Sequence, residues 1–135
     1  MPTELPPAAH DAALWTGLLL ILLLVLSILV VRQRRAHGVA EGHGDQPKLI
    51  AAVRAFGNAT EYIPAAIGAL AVLTLAHAIP LVVDIAGGLL FAGRLVHAIG
   101  LSRTAGVSRF RSIGMLLTWV SYLFTAVALL VYAIP

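Results

Sequence analysis

Four long apolar runs, set apart by short polar stretches, organise the chain. The first, Ala12–Val31, is interrupted only by Thr16, Gly17 and Ser27, and the fourth, Ile113–Ile134, carries no charge at all. The second, Ala55–Ile79, contains Asn58, Glu61 and Pro64, and the third, Leu81–Leu101, contains Asp84, Arg94 and His97. A bilayer core about 30 Å thick is crossed by roughly 20 helical residues. The pattern therefore predicts an all-α integral membrane four-helix bundle with spans near 12–31, 55–79, 81–101 and 113–134, in a single membrane domain covering 1–135. The first run lacks a basic segment before it and a small-residue cleavage site after it, so it reads as a retained span and not as a signal peptide. Arg32–Arg54 is expected as a loop, with Gly38, Gly42, Gly44 and Pro47 as breakers. Pro80 is expected to end the second helix in a short turn, His77–Pro80, making helices 2 and 3 antiparallel neighbours. Pro64 should kink the second helix, because it cannot donate to the Thr60 carbonyl.

Composition supports lipid as the solvent. Of 135 residues, 60% are hydrophobic and 11% charged, against about half and a quarter in soluble domains. Mean hydropathy is +0.96. There is no cysteine, so thiol chemistry would need a thiol brought by a ligand. The net charge of +3 could suggest nucleic acid, but its distribution points elsewhere. In a four-span arrangement Arg32, Arg34, Arg35, Lys48, Arg54, Arg94, Arg103, Arg109 and Arg111 all lie in or toward the two loops of one side. The other side carries Glu4, Asp11 and Asp84 and no cation. The positive-inside rule puts the basic loops in the cytoplasm and both termini outside it, as suits a bacterial inner membrane. Topology and contact with anionic lipid account for such cations, and no nucleic-acid partner is expected.

An ionisable side chain within a span costs about 2.5–3.5 kcal/mol on insertion scales and normally faces a bundle interior or a wet cavity. Three groups call for that explanation. Arg54, Asn58 and Glu61 are spaced by four and three residues, so they form one stripe on helix 2. Arg94 and His97 share a face of helix 3, and Arg94 is a candidate counter-ion for Glu61. Arg109, Arg111 and Ser112 open helix 4, where free N–H groups and the positive dipole end favour anions. Arg32 closes helix 1 and could join the same layer. The bland alternatives are a polar lock between helices for the first group, helix packing for His97 and interfacial anchoring for the third. Asp84 lies on the other side and reads as interfacial. His37 and His43 lack a third ligand at metal-binding spacing, so no metal site is expected.

These residues also carry a resemblance. Arg54-Ala-Phe-Gly-Asn58-Ala-Thr-Glu61-Tyr62-Ile-Pro64 resembles the helix 2 signature of MAPEG proteins, the membrane-associated proteins in eicosanoid and glutathione metabolism. Gly93-Arg94-Leu-Val-His97 resembles their helix 3 motif, and Arg109-Phe-Arg111-Ser112 the start of their helix 4. The resemblance covers nearly the whole chain. It implies a homotrimer that holds glutathione as co-substrate between adjacent subunits, near the cytoplasmic side. Arg32, Asn58, Glu61, Arg94, His97, Arg111 and Ser112 match positions lining that site, with Arg54 beside them on the helix 2 stripe. Arg111 or Ser112 is expected to act catalytically by stabilising the glutathione thiolate. The chain departs from eicosanoid-forming members at Leu101 and Met115, where those carry tyrosines, and at Gly57, where some members have a cation. That argues against prostaglandin or leukotriene synthesis.

Two readings of function follow from different classes. One is a glutathione-dependent transferase or peroxidase acting on a lipophilic small molecule that arrives from the membrane lipids. The other is a non-catalytic membrane protein of the same fold, whose polar layer serves packing or lipid contact. A small multidrug transporter would also have four short helices, but such proteins usually rely on an acid in the first helix, and here that helix is uncharged from Ala12 to Val31.

Overall fold

The computed structural model describes residues 5–103 and 108–134; Glu4 and the side chain of Arg103, both used in the charge argument, lie outside the described residues. It contains four helices and no strand among them: α1 (Ala9–His37), α2 (Pro47–Leu75), α3 (Pro80–Arg103) and α4 (Arg109–Ala133). All four are long and apolar enough to cross a membrane. The first and third expected spans fall inside α1 and α3, whereas the second runs past the end of α2 at Leu75 and the fourth one residue past α4; at the basic end the helices run further than expected. Arg32–His37 continue α1 and Pro47–Arg54 begin α2, so only 38–46 remains of the expected loop. Arg, Ala, Gln and Lys are good helix formers, and the break comes where the backbone needs it. Gly38 caps α1 at φ 64°, its N–H reaching the Arg34 and Arg35 carbonyls. That left-handed cap is open to glycine at no steric cost.

The role of Pro80 also differs from expectation. α2 ends at Leu75, before Pro80, and Pro80 opens α3. Its missing N–H is no loss in a first turn. His77 makes the reversal at φ 56°. Pro64 lies inside α2, and the helix is continuous through it.

The helices are not equivalent in the bundle. α3 is the most enclosed and touches the other three, whereas α1 and α4 make no contact with each other. α1 buries a narrow seam, Leu19, Leu22 and Leu26, and leaves Leu20, Ile21, Leu24, Val25 and Ile28 outward. An outward face this apolar suits a membrane setting. Two core clusters result. One joins that seam to Ala55, Ala59, Ile63, Leu90, Ala98 and Leu101; the other, nearer the termini, contains Ala8, Leu70, Leu73, Ala78, Val83 and Ala86.

Between membrane helices the lipid offers no hydrophobic driving force, so association depends on close packing and hydrogen bonds. α3 and α4 show this most strongly. A Cβ on Gly114 would sit 2.5 Å from the His97 nitrogen and 2.7 Å from the Gly93 carbonyl oxygen. A Cβ on Gly93 would sit 2.9 Å from the Gly114 oxygen, and one on Gly100 2.7 Å from the Arg111 nitrogen. The two backbones thus approach along a line of glycines, and this contact sets the distance between the helix 3 and helix 4 motifs. Ser121 adds a hydrogen bond from its Oγ to the Ala86 carbonyl at 2.8 Å.

Candidate functional site

The polar residues of the spans separate into two connected groups at the basic end. Arg94 forms the centre of the first. It is only 2% exposed. Its Nε donates to Thr118 Oγ1 at 2.9 Å, its Nη1 to Asn58 Oδ1 at 2.6 Å and its Nη2 contacts Met115 Sδ at 3.9 Å. The guanidinium carbon lies 4.8 Å from the centroid of the Tyr62 ring, within cation–π range. Thr118 in turn donates to the Gly114 carbonyl at 2.8 Å, so the hydroxyl accepts from the cation and passes its own proton to the helix backbone.

Asn58 also faces Glu61, with Nδ2 to Oε2 at 3.4 Å, a long and weak bond. The amide orientation follows from charge: a guanidinium only donates and a carboxylate only accepts. Arg94 and Glu61 therefore communicate through Asn58. Within one chain, the counter-ion relation expected of Arg94 and Glu61 is thus relayed by an amide. Asparagine and threonine occupy the guanidinium's near positions, and Glu61 stays on the exposed face of α2. Tyr122 closes the group from α4, with its hydroxyl donating to the Tyr62 carbonyl at 2.5 Å and its ring edge-on to that of Tyr62 at 5.7 Å.

The second group lies between α3 and α4. His97, 7% exposed, places Nδ1 3.0 Å from the Arg111 carbonyl oxygen. A carbonyl can only accept, so Nδ1 carries the proton. His97, Arg111, Ser112 and Ser108 border a cavity of about 370 Å³ whose remaining wall is Met115, Leu116 and Trp119. Ser112 Oγ is 3.4 Å from the Ser108 carbonyl. α4 begins without an acidic residue and without a side-chain cap, so Arg111 and Ser112 stand where backbone N–H groups already favour an anion. Met115 belongs to both groups, touching Arg94 and lining the cavity.

The sequence-derived candidates are therefore gathered in part. Asn58, Glu61 and Arg94 come together, as do His97, Arg111 and Ser112. Arg32 and Arg54 are exposed within the basic-end turns of α1 and α2 and make none of these hydrogen bonds. Arg109 is exposed beside the cavity mouth and does not line it. Tyr62, Thr118 and Tyr122 were not among the candidates. Spacing held a signal for two of them: Tyr62 is four residues beyond Asn58, and Thr118 is four beyond Gly114.

The MAPEG family model matches residues 12–131, a segment that contains every one of these groups. The chain belongs to the MAPEG family. Within it, the chain is similar to the inner membrane protein YecN of Escherichia coli K12, at 39% identity over 121 residues, covering 90% of this chain and 91% of the relative. The YecN protein of Escherichia coli O6:H1 matches to the same extent. For this MAPEG protein, then, four membrane-spanning helices and the placement of the three family motifs at one end of the bundle are features of fold and lineage together.

Proposed function

We propose that this MAPEG protein is a glutathione-dependent membrane transferase, or a peroxidase of the same chemistry, working as a homotrimer on a lipophilic electrophile. The observation that carries the reading is the α3–α4 cavity, where Arg111 and Ser112 stand at a helix N-terminus beside His97. A thiol with a pKa near 8.5 is mostly protonated at pH 7, and only the thiolate attacks. Lowering that pKa by about two units takes about 2.7 kcal/mol of preference for the anion. A guanidinium, a hydroxyl donor and a positive helix end can supply it. The thiolate sulfur would then bond to an electrophilic carbon while the leaving group departs with its electron pair and the thiol proton passes to solvent. With a hydroperoxide, the thiolate would attack the terminal oxygen and break the O–O bond, releasing the alcohol and leaving a sulfenic acid, which a second glutathione would convert to disulfide and water.

The placement of the remaining cations supports an oligomeric site. Arg32 lies in the last two turns of α1, and α1 does not touch α4. Its natural route to the Arg111 cavity is from a neighbouring chain, and Glu61, exposed on α2 within the membrane, gains a shielded setting in the same way. Glu61 would hold the ammonium of glutathione and the arginines its carboxylates. Localisation in a bacterial inner membrane, with both termini outside the cytoplasm, fits the charge asymmetry and the YecN relatives.

A second reading has its own support. Arg94 is engaged on three sides within one chain, as a structural polar lock would be, and in that case the layer serves packing alone. Glutathione binding to the purified protein in detergent separates the two. Saturable binding, weakened about tenfold in both Glu61→Gln and Arg111→Ala, is the expected result. An intact oligomer without binding at millimolar glutathione would leave the structural reading.

A further inference from the structure

A second cavity lies on the other side of the bundle's basic end, between α1, α2 and α3. It measures about 240 Å³. Its walls are Leu26 and Leu29 from α1 and Ala51, Ala52 and Ala55 from α2, with Gln33, Lys48 and Ser102 at its rim. Three features of this cleft bear on what it holds. The floor is built by short side chains: alanines at 51, 52 and 55 leave room where a leucine seam would have closed α2 onto α1. The rim is polar and, among the described residues, carries a single cation. Lys48 stands in the first turn of α2, which has no acidic residue and no side-chain cap. A lysine there opposes the positive helix end, and a bound anion would relieve both. Arg34, the nearby cation on α1, is directed elsewhere, its Nη1 holding the Ala40 and Gly42 carbonyls at 3.2 and 2.9 Å.

We infer that this cleft is a site for an anionic phospholipid, with part of one acyl chain between Leu26, Leu29 and the three alanines and the phosphate at Lys48 and Gln33; the Ser102 hydroxyl already donates to the Ala98 carbonyl at 2.9 Å. Phospholipid is the amphiphile already present around a membrane-spanning chain. An apolar cleft with a cationic rim near the ends of the spans matches the order of tail and headgroup. A lysine near a membrane surface is attracted to anionic lipid, which gives headgroup preference without a tight pocket. The α3–α4 cavity is lined by a different set of residues, so the lipid site does not depend on the glutathione reading.

The test is native mass spectrometry of the delipidated, purified protein titrated with dioleoyl phosphatidylglycerol or dioleoyl phosphatidylcholine. Wild type is expected to retain one phosphatidylglycerol per chain and to retain phosphatidylcholine weakly. Lys48→Glu, an exposed substitution, is expected to abolish that preference, with about tenfold weaker retention of the anionic lipid. Ala52→Leu, which fills the cleft, is expected to reduce retention of both lipids. Equal retention of the two lipids by wild type overturns the anionic assignment. Unchanged retention in both variants overturns the site. Glutathione binding measured on the same samples keeps the two proposals separate, because neither variant touches the α3–α4 cavity.

Discussion

At the end of the bundle near the termini, polar groups are arranged as isolated pairs; at the basic end they are arranged as a network beside open space. Trp15 Nε1 donates to Asp84 Oδ1 at 2.8 Å, and the Trp15 ring lies against Gly87 and Gly88, leaving no room for a Cβ at Gly87. Tyr132 accepts the Ile79 N–H at 3.2 Å. Each of these contacts joins two elements and stops there. Arg94 instead reaches α2, α4 and a methionine that borders a cavity. One end is thus a latch. The other is a support for side chains that could meet a ligand. The comparison also explains why buried polarity is tolerated at both ends. No buried side-chain nitrogen or oxygen among the described residues lacks a hydrogen-bond partner, which is the condition for burying such groups at all.

The comparison breaks most severely where the α3–α4 spacing is changed. In Gly114→Ala the new Cβ would meet backbone atoms of His97 and Gly93, which cannot move aside as a flexible side chain can. The helices must separate, at a cost of about 3 kcal/mol. Unfolding in a denaturing-detergent titration measures that loss, and glutathione binding should fall with it, since the cavity lies along the same seam. Wild-type stability in this variant would mean that the glycine line does not set the helix spacing.

A smaller effect is expected inside the network. Asn58→Leu removes the acceptor for Arg94 Nη1 and the donor to Glu61, leaving a buried guanidinium under-paired. Hydrogen bonds to charged groups contribute about 1.5–3 kcal/mol, so a loss of about 2 kcal/mol is expected in the same titration. If Asn58 only bridges the two charges structurally, ligand binding should survive in the fraction that remains folded. If it positions Glu61 for the ligand, binding should weaken beyond the loss of folded protein.

Much of this organisation was readable in the residues, and the omissions have physical reasons. The four helices follow from hydropathy alone, because a bilayer admits few other ways to satisfy a backbone. Their ends did not, since Arg32–His37 and Pro47–Arg54 look like loop by polarity and are helix by propensity. The stripe of Asn58 and Glu61 and the face of Arg94 were legible from periodicity. The choice of Asn58 over Glu61 as partner of Arg94 was not, because periodicity assigns a face and leaves open which side chain reaches across. Asp84 likewise had no cationic neighbour in sequence, and its partner is an indole 69 positions away. The glycines at 93, 100 and 114 could be counted in the sequence. Only the structure reveals that Gly93 and Gly114 face each other and that Gly100 lies against the Arg111 backbone.

The smallest effect is expected at the latch, and it sharpens the contrast between the ends. Trp15→Phe keeps an aromatic ring over Gly87 and Gly88 and against Phe91, whose ring centroid is 6.2 Å away, while deleting the indole N–H that Asp84 accepts. A single hydrogen bond contributes about 1 kcal/mol net. Asp84 is only half-buried, so water or lipid headgroups can take over part of its hydration. A stability loss of about 1 kcal/mol with unchanged glutathione binding is the expected outcome, measured by the same titration and binding assays. A fall in ligand affinity larger than the stability loss would mean that the two ends are coupled. The route would be α3, which carries Asp84 near one end and Arg94 and His97 toward the other and touches every other helix. In that event the latch would act on the site through the tilt of α3, and the division between a structural end and a functional end would give way to one mechanical unit.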